Sequence, residues 1–175
     1  MRLKSCMLAV VLATPLTALL ATALPVYAAN GRGTELAQAK QLMRGEAAGQ
    51  PQARALFAAA AGQGSGAAAY YLGLMQKNGL GGAADPAAAL QSLLLAAQRQ
   101  VVPAMFLAAN MLQDSDPAQA RRWLDAACDA EYPEALMQKS LALSEGRMGY
   151  AHNEAQGALY LKMAQHAMEH RQPEP

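Results

Sequence analysis

Several of the features that announce an enzyme or a nucleic-acid binder are missing from this chain. Aromatic residues make up 5% of its 175 positions, with one tryptophan and two phenylalanines. Lys and Arg number 14 against 13 Asp and Glu, a formal charge of +1 with no basic run. Nothing there drives counterion release from a nucleic acid or grips an anionic bilayer, so both partner classes are excluded. No Gly-x-Ser-x-Gly elbow is present, and Ser65, Ser92, Ser115, Ser140 and Ser144 fall in connectors or helical stretches. Gly79-Leu80-Gly81-Gly82 follows a helical stretch and lacks the Lys-Ser/Thr pair of a phosphate-binding loop. The carboxylates are scattered: Asp114 and Asp116 suit a turn and a helix cap, and Asp125, Asp129 and Glu131 suit the wet face of a helix. These absences argue against an enzyme and leave no basis for a cofactor.

Cysteine is nearly absent too, and its placement bears on export. Arg2 and Lys4 precede an uncharged apolar stretch, Met7 to Leu24, and Pro25 leads into Val26-Tyr27-Ala28, with small residues at −3 and −1 of a signal-peptidase site. Residues 1–28 therefore read as a cleaved signal peptide. An uncleaved anchor is the alternative, because Leu8 to Ala29 is almost long enough to span a bilayer, but Thr14, Pro15 and Thr17 interrupt it. Cys6 lies in the charged leader and is not placed for lipidation. Cleavage leaves 12 basic against 13 acidic residues and Cys128 as the sole cysteine, so no intrachain disulfide can form. Cys128 suits a small buried helix residue. The expected location is periplasmic, with secretion as the other outcome, and without stable membrane insertion after cleavage.

What the chain has in abundance is alanine, with leucine and methionine behind it, a helix-forming palette. A repeat runs through it. Asp116, Ala120, Trp123 and Ala127 form its clearest copy; Asp85, Ala89, Ser92 and Ala96 come earlier, and Asn153, Gly157, Tyr160 and Ala164 later. Ala53, Leu56 and Ala60 form a fourth copy without the Asp, so the spacings are 36, 31 and 37 residues, a solenoid period. Each of the three later copies follows a second helical stretch, at 68–78, 104–113 and 135–144. Asp85-Pro86 and Asp116-Pro117 are helix starts, and Gly79, Gly81 and Gly82 supply positive-φ positions after Asn78. The small pairs Ala60/Ala61, Ala96/Ala97 and Ala127/Cys128 let neighbouring helices approach closely.

The pattern Ala68-x-x-x-Leu72-Gly73, then Gly79-x-Gly81, Asp85, Ala89, Ala96-Ala97 and Ala104, resembles the Sel1-like repeat, a relative of the tetratricopeptide repeat. The resemblance covers roughly residues 35–168. It implies an all-α superhelix of about four antiparallel helix pairs, right-handed, with a groove lined by the first helix of each pair. Some positions depart from the pattern: Gln76 for tyrosine, Ser92 for an aromatic, Gln100 and Ala109 for glycine, and Lys139-Ser140 for Leu-Gly. The unit beginning at Ala104 lacks the Gly-x-Gly loop, which accounts for its 31-residue period. The expected organisation is a signal peptide over 1–28, a flexible lead over 29–34, repeats over 35–171 and a frayed tail over 172–175. A degenerate first unit would run through helices at 35–44 and 51–61.

By that resemblance, function lies in the groove. The family's first-helix pattern places Tyr70, Leu74 and Lys77 there from one unit, Phe106, Asn110 and Gln113 from the next, and Met137 and Leu141 from the last. At the apolar positions, packing between repeats is the competing assignment, so Lys77, Asn110 and Gln113 are the firmer surface positions. The implied role is a non-catalytic adaptor or scaffold in the bacterial cell envelope, holding a protein or peptide. The alternative is an envelope protein that acts on or sequesters a small molecule, cell-wall fragment or metal. For metal, His166 and His170 stand four apart on one helix face near Glu169, though two imidazoles alone make a weak site.

Overall fold

Where each helix of this chain starts and stops is set by a small vocabulary of caps, and those caps repeat with the sequence. The computed structural model describes residues 24–170 and residue 175, so the expected signal peptide lies almost wholly outside the described residues, as does most of the expected tail. Contacts divide the chain into Met1–Thr34 and Glu35–Pro175. Among the described residues there are eight α-helices and no strand: α1 (Leu24–Arg44), α2 (Gln50–Gly62), α3 (Gly66–Asn78), α4 (Pro86–Gln98), α5 (Val102–Leu112), α6 (Pro117–Asp129), α7 (Pro133–Glu145) and α8 (Glu154–Glu169). Residues 29–34, expected as a flexible lead, are helical within α1.

The starts follow the sequence. The side chains of Asp85, Asp116 and Asn153 accept from the backbone N–H three residues on, at 2.9, 3.0 and 3.0 Å, and Ser65 does the same for α3 at 3.2 Å. Each cap satisfies a donor that the first turn leaves without a helical partner. Proline stands in the first turn of α4, α6 and α7, where its missing N–H costs nothing.

The turns between repeats share one geometry. Ser65, Val101 and Tyr132 donate their backbone N–H to Ala60, Ala96 and Ala127, at 3.0, 3.1 and 3.0 Å, each closing the end of a second helix over six residues. The residue before each donor is left-handed: Gly64 at φ 99°, Gln100 at 62° and Glu131 at 55°. Gln100, which departs from the repeat pattern, therefore occupies a glycine conformation, as does Glu131.

From α2 onward packing is pairwise, each helix lying against its neighbours in sequence. Alanines at 0% exposure, including Ala68, Ala69, Ala96, Ala97, Ala104, Ala108 and Ala135, bring the backbones close, and Phe57, Met75, Leu93, Leu124 and Leu136 fill the space between. Small residues trade places across a pair. A methyl group on Gly73 would lie 2.8 Å from Leu93 Cγ and 3.2 Å from the Ala89 carbonyl. In α7 the equivalent position is Ser140, whose hydroxyl donates to the Gly157 carbonyl at 2.7 Å, and here the partner helix carries the glycine. Serine on one side of the contact is matched by glycine on the other. Gly81 (φ 71°) is needed for a different reason: any side chain there would strike the backbone of Gln50 and Pro51, so the α3–α4 loop lies flat on the start of α2.

Candidate binding groove

The first helix of every repeat carries a small buried residue followed directly by a side chain of the expected groove stripe. The pairs are Ala39-Lys40, Gly73-Leu74, Ala109-Asn110 and Ser140-Leu141. Lys40 thus belongs to the same stripe as Leu74, Asn110 and Leu141. Sequence reading missed it because the first unit has no capping Asp and no Gly-x-Gly loop by which to phase α1.

Placement of the expected residues is mixed. Tyr70 is buried, its ring edge-on to Tyr71 at 5.1 Å, so it serves the core. Leu74 is half-buried and Lys77 exposed in the last turn of α3. Phe106 is half-buried against Tyr132 with ring centres 5.5 Å apart. Asn110 is exposed and accepts from the Gln138 side chain at 2.8 Å, joining α5 to α7. Gln113, Met137 and Leu141 are exposed.

At the α1–α3 end something already occupies the stripe. Lys40 Nζ donates to the main-chain oxygen of Pro175 at 2.5 Å, and Tyr71 Oη donates to the same oxygen at 2.6 Å. The Lys40 ammonium also sits 4.7 Å from the centre of the Tyr71 ring, which Phe57 backs by stacking at 5.3 Å. Cation, phenol and oxygen form one charge-assisted contact on a rigid aromatic base.

A second concave region lies between α6, α7 and α8, a cavity of about 320 Å³ lined in part by Arg121, Asp125, Lys139, Tyr150, Tyr160 and Met163. Its polar groups are committed to one another. Asp125 accepts from Lys139 Nζ at 2.6 Å and from Tyr150 Oη at 2.7 Å, with Arg121 Nε at 3.8 Å. Arg121 donates to the Gly149 carbonyl at 2.6 Å and covers the Tyr150 ring at 4.4 Å. Burial pulls the Lys139 ammonium toward a lower pKa, but its hydrogen bonds to Asp125 and Tyr160 hold it above the ordinary value. Burial and the Asp125 bond push the Tyr150 phenol well above its usual range. The network pins the connection before α8 to the repeat ahead of it. Lys139, which departs from the pattern's leucine, is thereby accounted for.

Cys128 is buried, and desolvation pushes its thiol up to about 12, against the opposing pull of Lys139. A thiol held protonated in this way is a poor nucleophile. On α8, ligand atoms of His166, Glu169 and His170 lie within 4.8 Å of one another, all three residues exposed. Glu169 thus joins the two histidines expected from their spacing, but nothing buried orients the imidazoles, as a tight site requires.

No family model matches the sequence, and no curated protein does. Among solved structures, the Sel1 repeat protein from Oxalobacter formigenes superposes with a TM-score of 0.69 over 80% of this chain and 60% of that one, at 19% identity. The chain has the Sel1-repeat fold. The structure of c5321, a protective antigen of uropathogenic Escherichia coli strains displaying an SLR fold, aligns at 20% identity over 78% of this chain and 38% of the other. Its TM-score is 0.45. This Sel1-type chain spans about 60% of the length of the Oxalobacter protein. No helix among its described residues is long and apolar enough to cross a membrane.

Proposed function

We propose that this chain is a non-catalytic protein-interaction module whose first-helix groove receives an extended peptide through its main chain. The observation that supports the reading is the pair of hydrogen bonds that Lys40 and Tyr71 give to the Pro175 oxygen. Lys40 supplies charge, Tyr71 direction, and neither reads a side chain, so sequence preference falls to Leu74, Lys77, Asn110 and Gln113 farther along. The signal-like residues 1–28 support an envelope location for this role, periplasmic in the first instance.

A labelled peptide of residues 170–175 is the model ligand, and the receptor is the chain ending at His170. Saturable binding by fluorescence anisotropy is expected, weakened about tenfold or more by Lys40→Ala and less by Tyr71→Phe, since a charged donor contributes more than a neutral one. Binding unchanged by both substitutions would sink the groove reading. Export is checked separately by sequencing the N-terminus of the protein recovered from the periplasm, with Ala29 expected first.

The second reading, capture of a small molecule or cell-wall fragment, would use the cavity between α6, α7 and α8. It ranks second because a ligand there would have to displace Lys139 or Tyr150 from Asp125.

A further inference from the structure

Among the described residues one group of metal-ligating side chains converges: His166, Glu169 and His170 of α8, whose ligand atoms all lie within 4.8 Å of one another. Helical register brings them together. Residues four apart stand one above the other on a helix face, and a residue three along stands beside them. The two imidazole rings are 4.8 Å apart between centres and inclined at 62°. A tetrahedral ion about 2.0–2.1 Å from each ligand needs those ligands about 3.4 Å apart. Exposed side chains close that gap by turning about χ1 and χ2.

The backbone beneath them is already in place. Ala164 is 0% exposed and Ala167 packs on the core, which anchors α8 through its other side. His170 closes the helix, its backbone N–H donating to the Ala167 carbonyl at 3.3 Å. An ion therefore meets a formed helix and does not have to order the segment, as it would in a free peptide. The ligands are also uncommitted. Among the described residues none of the three side chains makes a hydrogen bond or ion pair that an ion would have to break, whereas Lys139 and Asp125 hold each other at 2.6 Å.

The donor set names the class of ion. Two imidazole nitrogens and one carboxylate oxygen suit zinc, nickel and copper, while magnesium and calcium take shells of oxygen. We propose that the last turns of α8 bind a divalent transition-metal ion, chelated by His166 and His170, with Glu169 as third ligand and water completing the shell. No buried partner orients either ring, so the ion is exchangeable, taken up and released, and is not a structural centre. The site shares no residue with the Lys40–Tyr71 contact, so either can fail alone.

The test is isothermal titration of Zn²⁺, and separately of Ni²⁺, into the full chain. One ion per chain is expected, with affinity reduced about tenfold or more by His166→Ala and by His170→Ala alike, because each leaves a single imidazole and no chelate. Glu169→Gln should cost less. His152→Ala, at the third of the chain's three histidines, and excess Mg²⁺ should change nothing. The ligands are exposed, so far-UV circular dichroism melts of all the variants in a chelator should coincide with that of the unsubstituted chain. Absence of saturable binding overturns the proposal. So does binding that survives both histidine substitutions, which would put the ion elsewhere on the chain, or an equal loss in His152→Ala.

Discussion

Leu124→Ala and Leu161→Ala make the same chemical change at the same repeat position, and the structure assigns them very different costs. Leu124 is fully buried between α6 and α7, so truncation loses its transfer free energy and leaves a cavity, about 3 kcal/mol within the usual 2–5. Leu161 keeps 42% of its surface in water, and with no helix beyond it among the described residues no closed cavity forms, which brings its cost to about 1 kcal/mol or less. For a domain of this size each kcal/mol moves the melting temperature by roughly 3–5 °C. Leu124→Ala is therefore expected to lower Tm by about 10 °C or more, and Leu161→Ala by about 4 °C or less. Thermal melts by far-UV circular dichroism, paired with urea titrations, measure both. Equal losses would refute the reasoning, since they would mean that Leu161 is covered in solution.

Two further outcomes follow from the backbone and the buried protons. Gln100→Gly and Glu131→Gly relieve left-handed strain of about 1–2 kcal/mol each, less the entropy that glycine adds to the unfolded chain, so each is expected to gain about 0.5–1 kcal/mol in urea titrations, while Gly64→Ala destabilises. Alkaline pH should destabilise the fold. Cys128, Tyr150 and Lys139 all hold their protons more tightly folded than unfolded, so their contributions are complete below the ordinary pKa values and are lost as pH rises through the raised ones. The thiol acts first, from about pH 9 toward about 12, and removes about 1.4 kcal/mol by pH 10. Urea titrations at pH 7, 9 and 10 test this, and Cys128→Ala should flatten the early part of the slope; an unchanged slope would mean that the thiol is not desolvated as its burial indicates.

The helix pairs were legible because capping and small-residue signals are local. Asp85, Asp116 and Asn153 each mark a helix start, and the small pairs ending at Ala61, Ala97 and Cys128 each mark a contact, without knowledge of the rest of the chain. The groove was legible only in part. Tyr70 looks like a surface aromatic in sequence but is buried by Tyr71, and no pattern on one helix reveals what its neighbour will cover. Lys40 was hidden for the opposite reason: its neighbours Ala39 and Gln41 give no period, and only the register of α1 against α3 identifies it. The acceptor at Lys40, the Pro175 oxygen, lies 135 residues away, beyond any local signal.

Departures from the chain's own repeat are informative because the repeat supplies its own control. Ser140 departs, and Gly157 across the pair makes room for it, so that change is absorbed by packing. Lys139 departs, and Asp125, Tyr150 and Tyr160 engage it, so that change is absorbed by a polar network fixing the last helix. Lys40 and Leu161 are different. Lys40 spends its charge on the oxygen of Pro175, and Leu161 keeps a large apolar side chain 42% exposed. A departure compensated within the fold maintains the stack; one left open to an outside group is where selection for binding can act. By this criterion Lys40, and not the committed network between α6, α7 and α8, is the position at which the proposed peptide binding is best tested.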